Sequence, residues 1–296
     1  MNKFPKITLV TPCFNHGAFV GRTIESVISQ GYPNLEYIVV NDASSDNSRE
    51  VIGSYSGSIS KIVDNTRIRP SPVFALNDAF SESGGEILGW LSSDDILMPK
   101  SLFVIAQVFA DLPSADWISG NASTINSRDE IVNSRVVRKN RLDYLNRHWQ
   151  VIQQESTFFR RQLWESAGGK LDESSLQAFD TDLWARFFEH SELVHVDTPL
   201  GAFRRGSQSR SSRNLSQFES FNDLVLDRMR VRASPQDRIS AFVWRFLKTR
   251  VLSSFLRSMP HKLLLWCFPK MSEPIAKYNP SLDRWVLERS SSFRRP

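Results

Sequence analysis

The sequence predicts an α/β fold, a mostly parallel central sheet with helices on both faces, and three observations carry that expectation. Short continuous apolar runs, KITLV at 6–10, LEYIVV at 35–40 and EILGWL at 86–91, read as strands buried on both faces. Segments with apolar residues at helical spacing separate them. Turn-forming residues punctuate the joins, as in GYPN at 31–34. Strand and helix patterns that alternate in this way need crossover connections, hence parallel strands.

Taken in order, the strand at 6–10 leads to a helix from about Ala18, with Phe19, Ile24, Val27 and Ile28 on one face and Asn15 as its expected cap. After the strand at 35–40, Asp46 is expected to cap a helix running to about Ser54. A third strand is expected at 59–63, a helix at 72–81, the strand at 86–91 and a helix at 100–109. The pattern then weakens. One strand at 116–119 precedes a polar, Arg-rich stretch to 150, which reads as acceptor-side or mobile rather than core. Apolar character resumes at 157–159, a short helix is expected to start at Asp182, and a strand follows at 193–196. SSRNLS at 211–216 reads as a linker.

At 296 residues with 41% hydrophobic and 23% charged, the composition is that of a globular protein. Cys13 and Cys267 are far apart and outside any metal-ligand spacing, so a reducing, cytoplasmic setting is expected. MNKFPKITLV moves straight into a strand pattern without the succession of a secretory leader, and no apolar run has the length of a membrane span. The net charge of +5 is uneven: residues 1–215 carry 22 Lys/Arg against 25 Asp/Glu, and residues 216–296 carry 15 against 7. The basic character therefore belongs to the tail.

Three acidic groups fall at strand ends or at a helix start: Asn41-Asp42, Asp94-Asp95, and Asp180 with Asp182. Ligands of open α/β sheets bind beyond the carboxyl ends of the strands. Adjacent like charges there call for a cation or for hydrogen-bond donors, and hard carboxylates suit a divalent metal on phosphate oxygens. Helix capping is the competing role for Asp94-Asp95 and the expected one for Asp182. Trp90, Trp164 and Trp184 are expected in the core, and the five histidines lack metal-ligand spacing.

TPCFN at 11–15, SQGYPNLEYIVVNDASSD at 29–46, GGEILGWLSSDD at 84–95, QESTFFRRQLW at 154–164 and FDTDLWARF at 179–187 resemble, in order, the signature blocks of inverting glycosyltransferase family 2. The resemblance implies a GT-A fold, nucleotide-sugar-binding and Rossmann-like, over roughly residues 5 to 210. It implies that Thr11, Pro12, Phe14, Asn15 and Asp42 lie against the nucleotide. Asp94 and Asp95 would hold Mg²⁺ or Mn²⁺ on the donor diphosphate, and Asp180 would be the general base. Asn77 would approach the donor sugar. Arg204, Arg205 and Arg213 are diphosphate clamps or a solvated basic loop. The sequence departs from the family pattern at Ser92, Asn41, Cys13 and Phe179, and FRRGSQSRSSR at 203–213 lacks the family's frequent histidine. The implied donor is a nucleotide-diphosphate sugar, most commonly UDP-linked, and the acceptor a saccharide or lipid-linked glycan.

The chain is expected to divide into a catalytic domain, 1–215, and a basic, mainly helical extension, 216–296. Within the extension, RISAFVWRFLKTRVLSSFLR at 238–257 is an amphipathic helix, and HKLLLWCFPK follows at 261–270. Its apolar face has three candidate partners: the catalytic domain, a second copy of the chain in a homodimer, or an anionic membrane surface reached through 238–270. The last would place the protein at the inner face of a membrane. No nucleic acid is expected. A dehydrogenase is excluded because TPCFNHGAF has no GxGxxG, and no P-loop motif occurs. The remaining alternative is an inactive glycosyltransferase-like scaffold acting through its basic tail.

Overall fold

The computed structural model describes residues 4–69, 71–147, 152–206, 215–247 and 272–291. The amino-terminal half follows the expected alternation: β1 (Ile7–Cys13), α1 (Gly17–Ile28), β2 (Leu35–Asp42), α2 (Ser48–Ser54), β3 (Lys61–Asn65), α3 (Val73–Ser81), β4 (Ile87–Trp90), the short β5 (Ile96–Leu97) and α4 (Ser101–Asp111). Then come β6 (Trp117–Ser119), β7 (Ala122–Ile125), β8 (Ile131–Arg135), α5 (Arg141–Leu145), β9 (Thr157–Arg160), α6 (Arg161–Ser166), α7 (Phe179–His190), β10 (Val194–Val196) and β11 (Gly201–Arg204). The tail adds α8 (Leu215–Arg232), α9 (Pro235–Leu247), β12 (Ser272–Asn279) and β13 (Arg284–Ser291).

The main sheet has the order β13-β12-β10-β6-β9-β4-β1-β2-β3, with β9 antiparallel to both its neighbours and β13 antiparallel to β12. Because side chains alternate along a strand, each apolar run feeds two cores. Ile7 and Leu9 of β1 join Val20, Ile24 and Phe109 under α1 and α4, whereas Val10 joins Phe80, Trp90 and Trp184 under α3 and α7. The three tryptophans expected in the core are there. Trp184 stacks on Trp90 at 5.5 Å and 12°, and on Trp117 at 5.5 Å and 22°.

Two strand pairs add to the expected elements, and two capping expectations are corrected. In the polar stretch after 119, β7 and β8 form a hairpin that joins β5 and β11 in a second sheet, ordered β5-β11-β7-β8. Besides its two helices the extension supplies β12 and β13, which close the edge of the main sheet beside β10. Asp182 is not a cap but lies inside α7, where its carboxylate accepts from Arg186 Nε at 2.9 Å. Asn15 does not cap α1: its backbone is left-handed, φ 54°, and its Oδ1 accepts from Ser45 N at 2.8 Å. The cap of α1 comes from another loop, with Asp46 Oδ2 accepting from Gly17 N at 2.9 Å and Asp46 Oδ1 from Ser48 N at 3.0 Å. One aspartate thus serves two helix starts. It can do so because Gly17 lacks a Cβ, which would stand 1.9 Å from Asn47 Oδ1.

Candidate active site

The parallel strands β1, β2 and β4 release their chains at one sheet edge, with Cys13 level with Asn41 and Val10 level with Trp90. That register delivers Phe14, Asp42 and Asp94-Asp95 to a common rim. The second sheet covers it: β5 begins directly after Asp95, and Ala202 of β11 pairs with Ile96. The pairing fixes Arg204 against the acidic pair, with Arg204 N donating to Asp95 Oδ1 at 2.8 Å and Arg204 Nε to the Asp94 carbonyl at 2.6 Å.

The two adjacent acids were expected to act as a pair, and the structure separates them. Asp95 is 1% exposed, and its Oδ2 accepts from Gln154 Nε2 at 3.3 Å. Both its oxygens are therefore engaged by protein donors. Burial, then the charges of Glu155 and Asp94, hold its pKa well above the ordinary carboxylate range. Asp94 keeps a partly open side chain, with Oδ1 3.8 Å from His16 Nδ1. The same ring nitrogen lies 2.8 Å from Ser93 Oγ, so His16 belongs to the rim although its spacing gave no sign of it.

Among the described residues, no group of three or more His, Cys, Asp or Glu side chains could hold a metal by itself. One open carboxylate suits Mg²⁺ or Mn²⁺, which retain water and take further oxygens from substrate phosphates. It does not suit a cage-type structural site. Asp94 is thus the carboxylate that fits the ion, and Asp95 stands behind it as a scaffold.

Other expected site residues turn inward. Thr11 is fully buried, with Oγ1 3.0 Å from the Tyr37 hydroxyl, so it holds the core rather than facing a ligand. Asn77 clasps the loop before α7, its Oδ1 accepting from Leu171 N at 2.8 Å and its Nδ2 donating to the Leu171 carbonyl at 3.1 Å. Arg204 is 2% exposed, donates from Nη1 to the Asn126 carbonyl at 2.7 Å, pairs with Asp129, and lies 5.0 Å over the Phe19 ring. With its guanidinium so engaged, it positions the rim and is not an open diphosphate clamp. Arg205 is exposed; Arg213 lies outside the described residues. Pro12 is half-buried and Phe14 is 37% exposed beside the rim. Asp42, 5% exposed, accepts at Oδ1 from Asn65 Nδ2 at 2.8 Å and from Arg69 Nε at 3.0 Å.

Asp180 enters on the first turn of α7, its Oδ1 accepting from Thr181 N at 2.8 Å. Burial pushes its pKa up to about 6. Glu155 lies within electrostatic reach of Asp94, Asp95 and Asp180 and so links the two ends of the site. It is 2% exposed, and burial, followed by the charges of Asp94 and Asp180, raises its pKa. The sequence marks Glu155 only by its place in QESTFFRRQLW. The overlooked signal was an acid just ahead of an apolar strand: β9 runs antiparallel to β4, so its start lies at the sheet edge where β4 ends.

These features define a class before they define a family: the fold is that of the GT-A glycosyltransferases. The chain superposes on Staphylococcus aureus TarS in complex with UDP-GlcNAc with a TM-score of 0.63 at 16% identity, covering 90% of this chain and 79% of that one. The mannosyltransferase PcManGT from Pyrobaculum calidifontis, in complex with GDP-Man and Mn²⁺, gives a TM-score of 0.57 at 16% identity, covering 90% and 82%. Residues 8–167 match glycosyl transferase family 2, and the chain belongs to that family.

An uncharacterized glycosyltransferase of Rickettsia prowazekii is 25% identical over 232 residues, 74% of this chain and 70% of that protein. The poly-beta-1,6-N-acetyl-D-glucosamine synthase of Staphylococcus epidermidis is 29% identical over 116 residues, 39% of this chain and 28% of the synthase. The match to an uncharacterized glycosyltransferase of Nostoc spans 39% of that relative's length.

Proposed function

We propose that this chain is an inverting glycosyltransferase that moves a sugar from a nucleotide-diphosphate sugar to an acceptor hydroxyl during polysaccharide or glycoconjugate synthesis. The observation that carries the reading is the division of labour among the acids. One carboxylate, Asp94, opens at the sheet rim, and a second, Asp180 on the first turn of α7, has a pKa raised to about 6, near the working range of a general base, with Glu155 within electrostatic reach of both. The sugar-nucleotide complexes of the structural neighbours support such a donor.

In this reading Phe14 and Asp42 border the nucleoside, and Asp94 anchors the diphosphate end. A divalent cation bound there would neutralise charge on the departing diphosphate. Asp180 accepts the proton of the acceptor hydroxyl as that oxygen bonds to the anomeric carbon. The bond from that carbon to the diphosphate oxygen breaks on the opposite face, and the electron pair leaves with the nucleotide. A single displacement inverts the anomeric centre.

Calorimetric titration with UDP and with GDP, each with Mn²⁺ or with EDTA, tests the donor half. Wild type is expected to bind one nucleotide in a metal-dependent way, and Asp94→Ala to weaken that binding at least ~10-fold, about 1.4 kcal/mol. Folded protein that binds neither, nor dTDP or CMP, would sink the transferase reading and leave the inactive scaffold.

A membrane-facing role for the tail has its own support. On α8 and α9 Val231, Ile239 and Phe242 are 76%, 66% and 69% exposed, and Arg230, Arg232 and Arg238, close to them in the sequence, are exposed too. Exposed apolar residues accompanied by arginines match an anionic lipid surface and would suit a lipid-linked acceptor. Among the described residues, no helix is long and apolar enough to cross a membrane. Residues 248–270 of the expected contact lie outside the described residues. Cosedimentation is expected with phosphatidylglycerol vesicles, not with phosphatidylcholine, and to be lost in Ile239→Asp/Phe242→Asp. Equal behaviour of variant and wild type would place the contact elsewhere.

A further inference from the structure

Glu155 is a carboxyl group in need of a partner. Its residue is 2% exposed, and among the described residues its Oε1 is buried without a hydrogen-bond partner. A buried polar oxygen left in that state costs on the order of 1–3 kcal/mol. Such an orphan calls for a partner that the chain itself does not supply, a water, an ion or a ligand.

The surroundings show that the orphan is held in place. Glu155 belongs to a single helical turn, Gln154–Ser156. On one side of it Gln154 Nε2 donates to Ser92 Oγ at 3.1 Å and to Asp95 Oδ2 at 3.3 Å. On the other, Ser156 Oγ donates to the Gly201 carbonyl at 3.1 Å while accepting from Gly201 N at 3.0 Å. Gly201 approaches so closely that a Cβ there would stand 2.2 Å from the Glu155 carbonyl oxygen. The turn is therefore braced on both sides, and its carboxyl lies within electrostatic reach of Asp94, Asp95 and Asp180.

Two of these acids have different tasks in the reading above, on which this inference rests. Asp94 marks the diphosphate and Asp180 the attacking hydroxyl, so the sugar in transfer must lie along the path joining them. We propose that Glu155 is a specificity-determining residue whose carboxyl group hydrogen-bonds a hydroxyl of the transferred sugar. The chemistry it selects is a polyol ring: a hydroxyl can complete Oε1, whereas an added anionic group would be repelled by Asp94 and Asp180.

The test is a cycle between residue and substrate. Full-length wild type and Glu155→Gln are titrated first with UDP and GDP, then with UDP-glucose and GDP-mannose and their monodeoxy analogues. Glu155→Gln keeps the shape and a hydrogen-bonding amide, and Glu155→Ala checks the result with a smaller side chain. Nucleotide affinity is expected to be unchanged in both variants. With the intact donor both should lose ~10-fold in affinity, about 1.4 kcal/mol. One monodeoxy donor should cost wild type a similar factor and cost Glu155→Ala nothing further, because the partner is already gone.

Equal losses for every deoxy donor in wild type and Glu155→Ala would overturn the assignment, as would unchanged donor affinity in both variants. A wild type that binds no nucleotide fails at the first titration, which separates failure of the transferase reading from failure of this one. A uniform loss of nucleotide and donor affinity together would mark Glu155 as a structural acid and overturn the proposal as well.

Discussion

Replacing Asp180 by Asn is expected to lower turnover ~10²–10⁴-fold, the usual contribution of a positioned general base, while leaving nucleotide affinity intact. The amide preserves the shape of the first turn of α7 but cannot take a proton. The pH dependence gives a second signature. A carboxylate whose pKa is raised to about 6 works as a base only above that value, so wild-type kcat/KM should rise tenfold per pH unit below about pH 6 and level off above it. The variant should lack that limb.

Stability should move in the opposite sense. A raised carboxyl pKa stabilises the fold below its unfolded value and loses that stabilisation as pH rises through about 6. Asp180→Asn, uncharged throughout, should therefore melt higher than wild type at pH 8 and at the same temperature at pH 4. Nucleoside diphosphate release, measured with a saccharide acceptor across pH 5 to 9, checks the kinetics. Undiminished turnover in Asp180→Asn would remove Asp180 as the base.

Arg204→Ala is expected to be the most destabilising single change at the rim, by ~3–5 kcal/mol, the range for breaking a buried ion pair from one side. The side chain is nearly inaccessible and ties three segments together: the Asp94 carbonyl at the end of β4, Asn126 and Asp129 in the β7–β8 turn, and Phe19 on α1. Its loss leaves two carbonyls without their donor, although Asp129 retains Arg22 at 3.0 Å. Arg204→Lys keeps the charge but not the fork, and should recover only part of the loss. Urea unfolding of the three proteins reads the difference. A change under about 1 kcal/mol would show that the two sheets hold the rim without this residue.

The sequence made the first half of the fold legible because β1, β2 and β4 are largely buried on both faces, so apolar runs and breakers alone mark them. The second sheet escaped for the opposite reason. Every residue of β8, IVNSR, is exposed, which leaves no alternation to read. In β12, SEPIAKYN carries Pro274 and polar neighbours, and its place beside β10 rests on a contact between segments far apart in sequence.

The site divides along the same line. Asp42 and Asp94 could be placed at one sheet edge because strand ends follow from local pattern, and Asp180 at a helix start by its motif. That Thr11 faces Tyr37, that Asn77 holds Leu171 and that Arg204 is consumed by Asp129 depends on partners contributed by distant segments. Motif position identifies a side chain, not the direction in which it points.

The hairpin of β12 and β13 has a consequence for the order of folding. Strand β10 finds one neighbour in β6 and the other in β12, whose residues follow β10 by some eighty positions, beyond both tail helices. During synthesis the sheet therefore carries a raw border of unpaired amides and carbonyls until β12 emerges. Trp285, whose backbone N–H donates to Asp111 Oδ2 at 2.8 Å, latches the finished border onto α4. The basic tail is thus also the seam that closes the molecule, and a ribosome-stalled or clipped chain would be the aggregation-prone form.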